Sequence, residues 1–408
     1  MEGETFVDIR DFKSQQDYFD YCKNVQHPYS HAVGRLIDLA SSYIFYAEEQ
    51  ATKGQKASYC GATWEAPLFY GCNVLPVANT ELGRLGSRQA ISVAENHFLI
   101  PREACSMLGS LLGEWYLRKD YPIKMCVGAS SHCEAQNMVS ELIKNEGYKI
   151  YRYEGIYRPP HCTEERRAQL VKNLTRQLEG IADFLCDGKP WDEEAIRREI
   201  HRNNEAIDKV KRIMDLRIER PTYVKSLATM YLMTGLGHYF GRPDEYIDIL
   251  DELIDELENC DASFIGRDLA MPIVWIGGRG QEFGVYHAVD QCNGALLGWV
   301  GDNCCTRKYD ESLPVLESLA AYYIDGTWSG ASEHKMKYIN EQLELTKAKG
   351  VIFYGYVGCS YSGVEHEILR ADLKERGISS LSIQGTFQVG PPSGQLLTRV
   401  SAFVEMLS

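Results

Sequence analysis

Residues 121–153 read YPIKMCVGASSHCEAQNMVSELIKNEGYKIYRY. Tyr121–Gly128 is a short apolar run of the kind that forms a buried strand. Ser131–Glu146 has its apolar residues at helical intervals, and Gly147 closes it, because glycine takes the left-handed cap conformation without a steric penalty. Tyr148–Tyr153 is a second strand. Strand, helix and strand at this spacing make a βαβ unit, and such a unit implies a parallel sheet.

Reading outward from this unit extends the pattern. Asp11–Asn24 and Ser30–Gln50 are helical, the latter with Val33, Leu36, Ile37, Ala40, Ile44 and Ala47 on one face. Leu68–Cys72 reads as a buried strand, Pro76 suits the first turn of a helix running to about Leu85, and Ser106–Lys119 is another helix. From Thr163 to about Cys260 the chain is nearly all helical. Pro190, Pro221 and the glycines between Gly235 and Gly241 interrupt it, and Asp192 is a natural N-cap followed by Glu193 and Glu194. Asp244–Cys260 is an acidic helix whose charges read as a solvated face. A second α/β pattern begins near Leu269, with strands at Met271–Ile276, Ala295–Val300, Val351–Val357 and Leu381–Ile383. Its helices are Glu333–Lys347, Val364–Arg376 and Gln395–Met406. The fold expected is α/β, with two doubly wound, Rossmann- or flavodoxin-like parallel-sheet lobes joined by a helical segment. The divisions fall at 1–59 (N-terminal helices), 60–162 (first lobe), 163–265 (helical middle) and 266–408 (second lobe). No internal repeat is visible.

Composition narrows the function. A chain of 408 residues has length for two or three domains. Lys and Arg total 43 against 57 Asp and Glu, a formal charge of −14. A surface so acidic is unsuited to nucleic-acid backbones or to an anionic membrane leaflet. No stretch approaches the ~20 apolar residues of a membrane span. The acidic start Met1-Glu2-Gly3-Glu4-Thr5 lacks a basic-then-apolar signal, so a cytoplasmic location is expected.

Thirteen cysteines, an odd number, are not a disulfide framework in such a chain. No C-x-x-C is present, so a metal centre here collects its ligands from distant segments. Three cysteines have the same kind of address. Cys105 precedes the helix beginning at Ser106, Cys133 ends the strand-to-helix loop Gly128–Cys133, and Cys359 follows the strand Val351–Val357. In open α/β sheets ligands bind beyond the carboxyl ends of strands, and helix amino termini favour thiolates. Small buried hydrophobes are the other reading of these residues. Cys304 and Cys305 are adjacent, a poor chelate. The turn Gly277-Gly278-Arg279-Gly280-Gln281-Glu282-Phe283-Gly284 suits a phosphate but has Phe283 where the dinucleotide fingerprint has glycine. No H-E-x-x-H, G-x-S-x-G or Walker A sequence is present.

Several of these segments together resemble a known family. Ser393–Leu407, reading SGQLLTRVSAFVEML, resembles the closing helix of the 2-hydroxyacyl-CoA dehydratase and benzoyl-CoA reductase subunits. Gly350-Val351-Ile352-Phe353 through Gly358-Cys359-Ser360-Tyr361 resembles the strand and cysteine turn before it. Pro101-Arg102-Glu103-Ala104-Cys105-Ser106 with Gly113, and Ser130-Ser131-His132-Cys133, resemble the other two ligand segments. Phe69–Pro76 resembles the segment ahead of them, and Glu219-Arg220-Pro221-Thr222 the helical proline motif. The likeness runs from about residue 60 to 408, and the order and spacing of these short motifs make it specific.

The resemblance implies one 4Fe–4S cluster per subunit in the interlobe cleft, held by Cys105, Cys133 and Cys359. It implies a hydro-lyase subunit that removes water from a 2-hydroxyacyl-CoA, giving the enoyl-CoA by a ketyl-radical route. In the substrate the proton to be lost sits on an unactivated β carbon, so ordinary base-catalysed elimination cannot begin there. The partners implied are a second dehydratase subunit, either a homologous chain or another copy, and an ATP-dependent iron–sulfur activator protein. Asn73 stands where the family's active subunit has serine, and is expected as a catalytic hydrogen-bond donor to the acyl-CoA thioester. Gln384-Gly385-Thr386 replaces acidic residues near the last strand. Asp325-Gly326-Thr327-Trp328-Ser329 lacks the C-x-C pair of a double-cubane branch, so a single cubane is expected. A benzoyl-CoA reductase-type subunit and a non-catalytic electron-relay subunit are the alternatives. An anionic CoA needs a local basic patch, for which Arg279, Arg307 and Lys308 are candidates.

Overall fold

The structure is a computed structural model describing residues 12, 14–61, 65–83, 85, 87–130, 133–280, 282, 284–301, 307–327, 329–385 and 393–408. The first sheet contains β1 (Ala57–Cys60), β2 (Leu75–Ala78), β3 (Met125–Ser130) and β4 (Lys149–Glu154). It is all parallel, in the order β2-β1-β3-β4. The second contains β5 (Met271–Gly277), β6 (Gly294–Val300), β7 (Gly350–Tyr356) and β8 (Ser379–Gly385). It too is all parallel, in the order β6-β5-β7-β8. The two lobes therefore share one topology. Helices cover both faces of such sheets, which is why the inner strands read as continuous apolar runs. Of the four edge strands, β2 and β6 are buried along their whole length, while β4 and β8 are half exposed.

The βαβ unit forms as its sequence predicts, with β3 and β4 flanking the helix Glu134–Ile143 and Gly147 left-handed at φ +83°. Two expectations near residue 70 are corrected. Leu68–Cys72 is not a strand but the end of the helix Ala66–Gly71, which carries Pro67 in its first turn. Pro76 is not in a helix but in β2, an edge strand, where a missing N–H is tolerated. Its carbonyl accepts the Tyr43 hydroxyl at 2.6 Å. The strand of this region is β1, only ASYC, too short to stand out as an apolar run.

The helical middle holds Glu164–Leu185 and Glu193–Ile218, capped by Thr163 and Asp192. The acidic helix Pro243–Glu258 buries Tyr246, Ile249, Leu250, Leu253 and Leu257. Its charges do more than face solvent. Glu252 meets Arg35 at 2.8 Å and Glu256 accepts the Ala32 N–H at 2.9 Å, so the helix docks on the amino end of His31–Ser41. Among the described residues no helix is long and apolar enough to cross a membrane.

Candidate functional site

One cleft of about 380 Å³ collects residues from the carboxyl ends of strands in both sheets. Gly61 follows β1, Tyr153 ends β4, Gly277 ends β5, and Gly355 and Tyr356 end β7. This is where parallel α/β sheets place their ligands.

Cys105, Cys133 and Cys359 all line this cleft. Each is the N-cap residue of a helix: Ser106–Leu117, Glu134–Ile143 and Ser360–Glu375 respectively. The last of these helices starts at Ser360, four residues earlier than the sequence pattern places it and directly after Cys359. A backbone bond joins the two lobes at this point, the Ser106 N–H donating to the Val357 carbonyl at 3.0 Å. Gly358, left-handed at φ +79°, makes the approach possible. A Cβ there would lie 2.7 Å from the Ala104 carbonyl and 2.8 Å from the Cys105 nitrogen.

The electrostatics follow from the same geometry. Burial raises the Cys133 thiol to about 11; the Gln136 and Ala135 amides oppose this, while Cys105 and Cys359 add to it. Burial also raises Cys105, with Cys359 adding and the Met107 and Leu108 amides opposing. The three sulfurs thus feel one another. Among the described residues no three His, Cys, Asp or Glu side chains close on a single metal ion.

Asn73 is not brought to these cysteines. It is exposed and left-handed at φ +54°, in the turn between Ala66–Gly71 and β2, and its carbonyl accepts Gln55 Nε2 at 3.2 Å. Because the preceding run folds as a helix, this turn lies at the amino end of β2, away from the ligand edge of the sheet. Among the basic candidates, Arg279 and Arg307 line the cleft and Lys308 does not. Arg279 is buried, grips both Glu81 oxygens at 2.7 and 2.5 Å, and lies over the Tyr231 ring. Arg307 lies over the Tyr322 ring and donates to the Tyr322 carbonyl. Lys308 pairs with Asp208 at 2.5 Å. The expectations placed on Ser131, His132, Gln281, Phe283, Cys304, Cys305, Trp328 and Thr386 lie outside the described residues.

The sequence reading missed several polar residues of the cleft wall. His238 is buried, stacks on Tyr43 at 4.7 Å, accepts the Phe240 N–H at Nδ1, and turns Nε2 toward Glu81 at 3.6 Å. The loop that places it carries two left-handed aromatic residues, Tyr239 and Phe240, both at φ +50°. Lys335 and Glu365 pair at 2.5 Å in the second lobe, with Glu365 on the cleft. Behind Tyr153, Glu65 is fully buried and hydrogen-bonded to the Tyr153 hydroxyl. Burial pushes its carboxyl up to about 8, against the pull of that bond. No local pattern marks these residues, which meet only when distant segments pack.

Two topologically alike parallel lobes closing on three thiols at helix amino termini define a two-lobed α/β protein with a cysteine-lined interlobe cleft. The family described as 2-hydroxyglutaryl-CoA dehydratase, D-component, matches residues 65–407, and the chain belongs to that family. It is a component of the 2-hydroxyacyl-CoA dehydratase type. Comparison with curated proteins gives no match.

Proposed function

We propose that this chain is the iron–sulfur subunit of a 2-hydroxyacyl-CoA dehydratase, with Cys105, Cys133 and Cys359 holding one 4Fe–4S cluster. The observation that carries the reading is the meeting of these three cysteines, from two lobes, at one cleft. The donor set fits the group. Thiolates are the ligands of iron–sulfur clusters, each binding a separate iron, so three sulfurs need not converge on one ion. Their helix amides favour negative charge, and the seam at Gly358 brings two of the three segments into backbone contact. Bound here, the cluster would supply a low-potential electron and one iron open as a Lewis acid.

The chain's own residues do the rest. The cleft walls exclude water from the acyl thioester, which strengthens every polar contact within. The guanidinium of Arg307, half-buried at the cleft, faces the acyl-CoA, and its stacking on Tyr322 fixes its plane. Arg279 and Glu81 neutralise each other and hold the two lobes together rather than binding an anion. Electrons come from a separate ATP-dependent activator, consistent with a chain lacking a Walker A sequence, and a second dehydratase subunit completes the complex.

The test is anaerobic purification with iron and sulfide analysis of the parent chain and of the triple change Cys105→Ala, Cys133→Ala, Cys359→Ala. The reading expects about four irons per chain, lost in the triple variant, and water loss from a 2-hydroxyacyl-CoA once partner and activator are added. An iron-free parent after anaerobic reconstitution overturns it.

A further inference from the structure

Among the described residues Glu65 has no counter-charge. The titratable groups facing it are Tyr153 from β4, Cys60 from β1, Cys126 from β3, and Tyr309 and Tyr323 from the second lobe. Among the described residues none of these is a cation. Its Oε1 is bonded to the Tyr153 hydroxyl, and its Oε2 is buried without a hydrogen-bond partner among the described residues. A carboxylate cannot be held in such a place, because removing it from water without pairing is too unfavourable; the group keeps its proton. A buried carboxylic acid adds nothing to packing that an apolar residue would not add better. Its position accounts for it, since Tyr153 and Tyr323 both line the cleft that holds the three cysteines.

We propose that Glu65 and Tyr153 form a proton relay opening on the cleft, with Glu65 as the buried store and the Tyr153 hydroxyl as the group that meets the substrate. The substrate assignment rests on the dehydratase reading. With the carboxyl proton on Oε1, the phenol oxygen accepts it and turns its own O–H toward the cleft. As hydroxide leaves the α carbon, the Tyr153 O–H bond breaks and its proton joins the hydroxide to give water. The Glu65 O–H bond breaks in turn and restores the phenol. The carboxylate so formed takes up, by the reverse path, the proton lost from the β carbon. No electron is consumed, and the net change is loss of water.

Infrared spectroscopy of the chain tests this without any turnover. A carboxylic-acid carbonyl band is expected at pH 7, absent in Glu65→Gln, and disappearing as pH rises through about 8. On transfer to D2O the band shifts quickly in the parent and at least ~10-fold more slowly in Tyr153→Phe, because the phenol is the proton's route to the cleft. In the assembled enzyme, Glu65→Gln is expected to lower kcat by about 10²-fold with KM and iron content unchanged. A Glu65 ionised at pH 7, or an exchange rate indifferent to Tyr153→Phe, overturns the relay. A parent with the band and Tyr153-dependent exchange but no dehydration leaves the relay standing and refutes the dehydratase reading.

Discussion

The helix before the third strand begins at Cys105 in the first lobe and at Ala331 in the second. The helix after the third strand begins at Cys133 in the first and at Cys359 in the second. Strand order is the same in both. One thiol therefore belongs to a turn the lobes share, and the other is particular to the first lobe. Two equivalent turns facing across a cleft give only two thiols; Cys105 turns the pair into a triad. It lies where the first lobe touches the second, through Ser106 and Val357. The asymmetry, not the shared topology, makes the site.

The largest test of this comparison is at the seam. Gly358→Ala places a methyl group against the Ala104–Cys105 backbone at a left-handed φ. It is expected to destabilise the chain by about 2–4 kcal/mol and to abolish iron retention. The control is Gly363→Ala, with nothing within 4 Å of the added carbon inside the helix Ser360–Glu375. That change is expected to stabilise by about 0.5–1 kcal/mol. Thermal melts with iron analysis decide, and equal effects of the two changes would mean the seam carries no special constraint.

A middle-sized effect separates the lobes by pH. In the first lobe Glu65 is raised from 4.5 to about 8 by burial. The folded state then holds a proton that the unfolded state has lost, so this contribution is full below 4.5 and falls away as pH rises through about 8. In the second lobe His366 is lowered from 6.5 to about 4, by burial first and then by Lys335 and Arg370. Its contribution is full above 6.5 and is lost as pH falls toward 4. Each is worth up to about 1.4 kcal/mol per pH unit. Denaturant titrations from pH 4 to 8 should show Glu65→Gln flattening the neutral-side decline and His366→Gln the acid-side decline. Variants that flatten the same side would break the contrast.

The smallest effect expected is that of Ala331→Cys, which gives the second lobe the first lobe's thiol. The first lobe meets this turn by backbone too, Arg158 bonding Ser329 and bridging Gly330, but Ala331 does not line the cleft of the three cysteines, so iron per chain should stay unchanged and stability should move within about 0.5 kcal/mol. A gain of iron would reveal a latent second site.

Much of this architecture can be read from the chain. β5, β6 and β7 are buried enough to appear as apolar runs, and the cysteines at helix starts follow from strand and helix order. β1 is hidden because four residues carry no periodicity, and the helix Ala66–Gly71 mimics a strand because a short apolar run fits either state. Asn73, put forward by the family resemblance, sits in the turn at the amino end of β2 that this helix creates. The repeat of strand order is invisible because it is a property of hydrogen bonding between segments whose side chains differ. Glu65, Glu81 and His238 escaped notice because burial and partnership come from packing, and nothing beside them in the chain announces either.

The backbone bond from Ser106 to Val357 makes the cleft a clasp. Turning one lobe away from the other at this bond pulls Cys105 from Cys359, while Arg279 with Glu81 and Arg158 with Ser329 hold the lobes elsewhere. On the proposed reading, a cluster held by the three sulfurs would brace this contact between the lobes, and separating the lobes here would loosen the hold on it.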